Sequence, residues 1–152
     1  WITCFLYGLL RPMDGIVPYR MEHCVTLEAT SNKPINQFWK DRLTDVLIGS
    51  VKADDGTLLH LSTEEYEHLF DWKRVCKEVT VIQPLFYVRQ KDGRLKMQAV
   101  WAKSCRGAMV RFILNNRPVT HEELSAFSYE GFEFAPQLGD ENNPHFVREN
   151  IK

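Results

Sequence analysis

The stretch "EVTVIQPLFYVRQKDGRLKMQAVWAK", Glu78 to Lys103, decides the fold class. Glu78–Arg89 and Arg94–Lys103 each read as a strand, and the "KDG" between them carries the Asp92-Gly93 pair that favours a tight hairpin. Leu95, Met97, Ala99 and Trp101 alternate along one face of the second strand. Pro84 cannot donate to a sheet ladder, so it belongs at an edge or a bulge.

Outward from the hairpin the chain turns helical. "SCRGAMVRFILNN" predicts a helix over 104–116, and Thr120 with Glu123 predicts a capping box opening a short helix after it. Upstream, "PINQFWKDRLTDVLIGSVK" places Ile35, Phe38, Trp39, Leu43, Val46 and Leu47 at helical spacing, with Pro34 suited to the first turn and Ser31 or Asn32 available as a cap. "MEHCVTLEA", Met21 to Ala29, reads as a strand, as does "TLLHL" after the Asp54-Asp55-Gly56 turn. Ser62 with Glu65 suggests a capping box for a helix over "STEEYEHLF". The expected class is α+β: a single compact mixed domain over 1–152 with an antiparallel hairpin and several helices.

The 152 residues, 44% hydrophobic and 26% charged, suit one soluble globular domain. "WITCFLYGLL" has no basic flank or small-residue cleavage site and is too short to span a bilayer. Without an initiating methionine, residue 1 reads as an internal start and the chain as a fragment. Cys4, Cys24, Cys76 and Cys105 are scattered with no C-x-x-C pair, a pattern that suits reduced thiols in a cytoplasm.

The net charge of -1 hides an asymmetry. From Arg89 to Arg117 eight basic residues face the single acid Asp92, so this segment carries +7 and the remainder -8. Such a distribution fits an anion-binding face on an acidic body, and it equally fits a solvated hairpin and helix whose charges are paired in space.

Within the 104–116 helix, Met109, Val110, Phe112 and Ile113 define an apolar arc at about 100° per residue. Arg106 falls inside that arc and Arg111 outside it. A helix starting at 104 puts Arg106 in its first turn, where the helix dipole disfavours a cation, next to Gly107, which lets a ligand approach the backbone. With Lys103 just upstream, this reads as an anion site on a helix N-terminus; the alternative is an Arg106 paired with a carboxylate such as Asp14 or Glu22. No metal is expected. Glu65 and His68 form a single E-x-x-H pair, and His23, His60, His121 and His145 show no ligand spacing. Neither a P-loop nor a dinucleotide fingerprint is present, no catalytic constellation is assigned, and no cofactor is implied.

Beyond these local readings, "LYGLLRPMDGIVPYRMEH", "NQFW", "EEY", "WAKSCRGAMVRFILNNR" and "LSAFSYEGFEF" occur in an order that resembles the YaaA family of bacterial peroxide-stress proteins. The resemblance runs from Leu6 to about Phe134. It implies a cytoplasmic protein of mixed α/β fold that limits oxidative damage to DNA and binds DNA through a positively charged cleft, this chain being a fragment of the larger fold. The family's N-terminal portion, with a start like I-S-P-A-K-T, is absent. Cys4-Phe5 stands where Ser-Gly is usual, and His60 replaces a common asparagine.

Carried over by motif, Arg11 and Arg20 join Lys103 and Arg106 as candidate cleft residues, with Gly107, Arg111 and Arg117 on the same basic segment. Tyr7, Asp14, Tyr19 and Glu22 are the supporting residues expected to orient the arginines; alternatively Arg11 and Arg20 are structural, held by Asp14 and Glu22. The expected partner is duplex DNA, read through its backbone with little regard to sequence. The rival class is an enzyme holding a phosphorylated or nucleotide-like small molecule on the same cations, with Glu22, Asp14 or Tyr7 as acid or base.

Overall fold

In the computed structural model every residue is described except His23, Pro118, Val119 and 150–152, together with the side chain of His121. The element order is mixed α and β, and the chain falls into two units: Trp1–Leu58 with Ser62–Thr80, and Leu59–Leu61 with Val81–Lys152.

The first unit is organised by helix α1, Ile35–Lys52. Pro34 is its N-cap residue, and Ile35, Leu43, Leu47, Ile48 and Val51 form its buried stripe. Val46, expected on that stripe, points outward and is half exposed. Two short antiparallel strands, β1 (Ile2–Cys4) and β2 (Gly8–Leu10), close a small hairpin. Trp39 Nε1 donates to the Phe5 carbonyl at 2.7 Å, and Phe5 stacks on Tyr66 with ring centroids 4.4 Å apart. Gly8 has φ +76°, and a Cβ there would lie 3.0 Å from Leu43 Cδ1, so the "LYGLL" glycine is required both by its backbone and by the side chains packed on it.

Two local expectations for this unit are corrected. Among the described residues of 21–29 no strand forms: Thr26 makes only an isolated bridge to Pro34, and Glu28–Thr30 turns into a 3₁₀ helix closed by Ser31 and Asn32 at φ +55° and +59°. "STEEYEHLF" forms a 3₁₀ helix at Glu64–Leu69, with Thr63 rather than Ser62 at its N-cap. Asp71 then caps helix α2, Trp72–Glu78, accepting from the Arg74 N–H at 3.3 Å. Arg74 and Lys52 converge on Glu78, at 2.6 Å each, tying α2 to the end of α1.

The strand expected over Glu78–Arg89 is two: β4 (Thr80–Ile82), which pairs with β3 (Thr57–Leu59), and β5 (Leu85–Arg89). Pro84 sits at the break between them. The second unit is a five-stranded sheet ordered β6 (Leu95–Lys96), β5, β9 (Pro144–Glu149), β8 (Phe132–Gly139), β7 (Ser128–Tyr129). All pairings are antiparallel except β5 with β9, which run parallel with Leu85 opposite His145 and Arg89 opposite Glu149.

The expected hairpin at Asp92-Gly93 is present as β5–β6, with Gly93 at φ +82°. Its second strand, however, is only two residues long. Helix α3 begins at Ala99 and runs to Asn116, five residues before the expected start. The alternation through Trp101 was overruled by the helical spacing of Ala102, Cys105 and Met109, all fully or nearly fully buried against the sheet. Their neighbours in the core are Phe86, Val88, Leu124, Phe127, Phe132 and Phe146. The capping box at Thr120 and Glu123 forms as expected and opens helix α4, His121–Ser125.

Candidate functional site

In the first unit, Arg11 to Arg20 is exposed throughout. The Asp14 carboxylate accepts the backbone N–H of Arg11 at 2.7 Å, while the Asp14 N–H returns to the Arg11 carbonyl at 3.1 Å. The Tyr7 hydroxyl accepts from the Val17 N–H at 3.2 Å. The Tyr19 hydroxyl meets Cys4 Sγ at 2.6 Å, its ring lies edge-on to Tyr7, and partial burial followed by the Cys4 contact raises its pKa. Tyr7, Asp14 and Tyr19 therefore shape the backbone that carries the arginines. Neither Asp14 nor Glu22 forms an ion pair with Arg11 or Arg20, so both guanidinium groups are uncommitted among the described residues of their unit.

In the second unit the basic segment divides. Arg89 pairs with Glu149 at 3.0 Å, and Arg94 with Asp92 at 3.6 Å. Lys91, Lys96, Lys103, Arg106, Arg111 and Arg117 have no carboxylate partner among the described residues of that unit. Because α3 starts at Ala99, Lys103 lies in its second turn and Arg106 beyond that. The reading of these two as part of a helix N-terminal anion site is thus corrected: the free N–H groups belong to Ala99 and the residues just after it.

What α3 presents instead is a side. Lys103, Gly107 and Arg111 follow one another at four-residue intervals, so they form a strip rotating by about 40° per step over about 12 Å of axis. All three are exposed, and nothing lies within 4 Å of where a Cβ on Gly107 would be. Arg106 lies about 60° around the helix from Lys103, on the side toward the core, and is half-buried as its place in the apolar arc implied. Its neighbour is His60, buried at 7% exposure and donating its backbone N–H to Ile82 at 2.8 Å. Burial, with the Arg106 charge adding to it, holds the His60 imidazole down at about 4, so it is neutral at neutral pH. Burial also lowers the Arg106 pKa. Arg117 closes α3 in the left-handed conformation, φ +48°, donating its N–H to the Ile113 carbonyl at 2.8 Å. The effect of Arg106 on His60 is not legible in the sequence because the two are 46 positions apart; the one sign is a histidine set among the leucines of "TLLHL".

All four cysteines are free thiols, Cys4 and Cys105 buried, Cys24 and Cys76 exposed. Among the described residues no group of three or more His, Cys, Asp or Glu is placed to hold a metal ion, and no helix is long and apolar enough to cross a membrane. His23 and the side chain of His121 lie outside the described residues.

Comparison with known proteins gives this arrangement a family. The chain is 49% identical over 148 residues to a UPF0246 protein of Porphyromonas gingivalis, covering 97% of this chain and 58% of that protein. It is 46% identical over 146 residues to one of Bacteroides thetaiotaomicron, covering 96% and 56%, and 39% identical over 143 residues to one of Parabacteroides distasonis, covering 94% and 56%. The chain thus spans somewhat over half the length of these curated relatives. The family model described as peroxide stress protein YaaA matches residues 1–138, and the chain belongs to that family.

Proposed function

We propose that this chain contributes to duplex DNA binding in a cytoplasmic peroxide-stress response that limits oxidative damage to DNA, and that it touches the phosphate backbone rather than base edges. The observation that carries the reading is the strip on α3. Lys103 and Arg111 are exposed cations with no carboxylate partner among the described residues of their unit, spaced about 12 Å apart along a rigid helix, and between them Gly107 leaves the backbone open to close approach. Uncommitted cations on one side of a well-packed element are what backbone contacts require, since each phosphate neutralised releases condensed counterions. Arg106, half-buried beside neutral His60, acts as a second-line cation that raises the local positive potential. Arg11 and Arg20 supply further uncommitted charge from the first unit.

The test is fluorescence anisotropy of a labelled duplex across a salt series. Affinity should fall steeply with salt and vary little with base sequence. The double variant Lys103→Ala, Arg111→Ala should flatten the log-log slope by about two units, at about 0.9 per phosphate lost. An unchanged slope in a folded double variant would remove the strip from the interface. Absence of duplex binding at low salt, together with a nucleotide that raises the melting temperature, would replace this reading by the enzyme class.

A further inference from the structure

The second unit contains a cleft of about 610 Å³ that plays no part in the DNA reading. Gln98 and Trp101 from the start of α3, Glu130 and Glu133 around the β7–β8 turn, Gln137 of β8 and Arg148 of β9 all contribute to its wall. That volume is in the usual range for small-molecule sites.

Arg148 is the unusual member. Its guanidinium carbon lies 4.3 Å from the centroid of the Trp101 ring, and its Nη1 is buried without a hydrogen-bond acceptor among the described residues. The neighbouring arginine, Arg89, already holds Glu149 at 3.0 Å, and no carboxylate among the described residues of the unit pairs with Arg148. The nearby Cys105 is no counter-ion either. Burial pushes its thiol up to about 11, against the influence of Arg148, so it stays neutral. The stem of Arg148 packs over Gly131, where an added Cβ would lie 3.7 Å from Arg148 Cγ. A cation drawn partly out of water onto an aromatic face is compensated only in part by that face, and an anion completes it.

Two exposed carboxylates at the same cleft, Glu130 and Glu133, are likewise without an ion pair among the described residues of the unit. They make the rim hostile to a phosphate dianion or a nucleic-acid backbone. They also provide a seat for a positive group. A planar carboxylate matches the guanidinium fork better than a point-like anion does, and the two glutamine side chains supply donors and acceptors between the two ends.

We propose that this cleft binds a small zwitterion of the amino-acid class, its carboxylate on Arg148 beside Trp101 and its ammonium toward Glu130 and Glu133. The inference is independent of DNA binding. The experiment titrates the whole chain with a panel of free L-amino acids, with acetate and inorganic phosphate as controls, following heat release and the Trp101 indole N–H resonance. At least one amino acid should bind more tightly than acetate and shift that resonance, with phosphate weakest. Arg148→Gln should cut the affinity by about tenfold or more, and Arg148→Lys should weaken it while keeping charge and fold. The pair Glu130→Gln, Glu133→Gln should weaken the amino acid but not acetate. No response at the Trp101 indole to any probe at about 10 mM, phosphate binding more tightly than every amino acid, or full affinity in folded Arg148→Gln would each overturn the assignment.

Discussion

The two units carry their candidate cations on different supports. In the first, Arg11 and Arg20 ride on an exposed loop whose shape comes from a few side-chain bonds: Asp14 to the Arg11 N–H, Tyr7 to the Val17 N–H, and the Tyr19 hydroxyl to Cys4 Sγ. In the second, Lys103 and Arg111 ride on an 18-residue helix whose opposite face is sealed into a cluster of aromatic rings. A helix locked by its buried face holds its exposed side chains in fixed mutual positions, whereas a loop fixes its own only as well as its few bonds do. The difference assigns geometric definition to the helix and adaptability to the loop.

The largest expected effect tests the rigid support. Phe146 is fully buried and lies 5.5 Å from Phe86, 5.5 Å from Phe127 and 5.8 Å from Phe134, centroid to centroid. Phe146→Ala should cost about 3–5 kcal/mol in chemical denaturation. Hydrogen exchange should quicken through β5, β8 and β9. A loss below about 1 kcal/mol would mean that the aromatic cluster is not what holds α3.

His60 sharpens the same contrast through pH. Its pKa is about 4 when folded, against an ordinary 6.5. Above 6.5 both folded and unfolded chains carry it neutral. Between 6.5 and 4 only the unfolded chain takes up the proton, so stability should decline through that window by an amount of order 3 kcal/mol and level off below 4. Denaturation at pH 7 and pH 4.5 on wild type and His60→Asn gives the check: the variant should lose most of the difference, and an equal difference in both proteins would clear His60 of the effect.

The smallest effect belongs to the first unit. Gly8→Ala places a side chain at φ +76° and within 3.0–3.2 Å of Leu43 and Trp39, for an expected loss of about 1–3 kcal/mol. The exchange protection of β1 and β2 should drop. If Gly8→Ala were to cost more than Phe146→Ala, the ranking of the two supports would be reversed.

Much of this architecture was legible in the sequence where the signal is local. α1 announced itself by apolar spacing, the β5–β6 turn by Asp92-Gly93, and the α4 cap by Thr120 and Glu123, because each depends on residues a few positions apart. The start of α3 was misjudged because Leu95, Met97, Ala99 and Trp101 alternate like a strand while Ala102, Cys105 and Met109 repeat like a helix. Burial chose the second pattern. Strands β8 and β9 went unread: Pro136 and Pro144 interrupt their pattern, and a register shift separates Phe134 from Gly139. Of the site, the cations themselves and the outward aspect of Arg111 could be read from spacing. The influence of the Arg106 charge on His60 and the seat of Arg148 on Trp101 depend on pairings across tens of residues, which no local pattern encodes.

The position of β9 also has a consequence during synthesis. Among the described residues it is the last strand of this sheet in chain order, yet it lies at the centre, joining the β5–β6 hairpin to the β7–β8 hairpin. Until its residues leave the ribosome those two hairpins have no common partner strand, and Phe86 and Phe134 lack the Phe146 ring that lies 5.5 Å from one and 5.8 Å from the other. Joining the two hairpins therefore waits for β9: before it emerges β5 and β8 each keep an unfinished edge, and the pairing of β9 with both of them removes the two edges together.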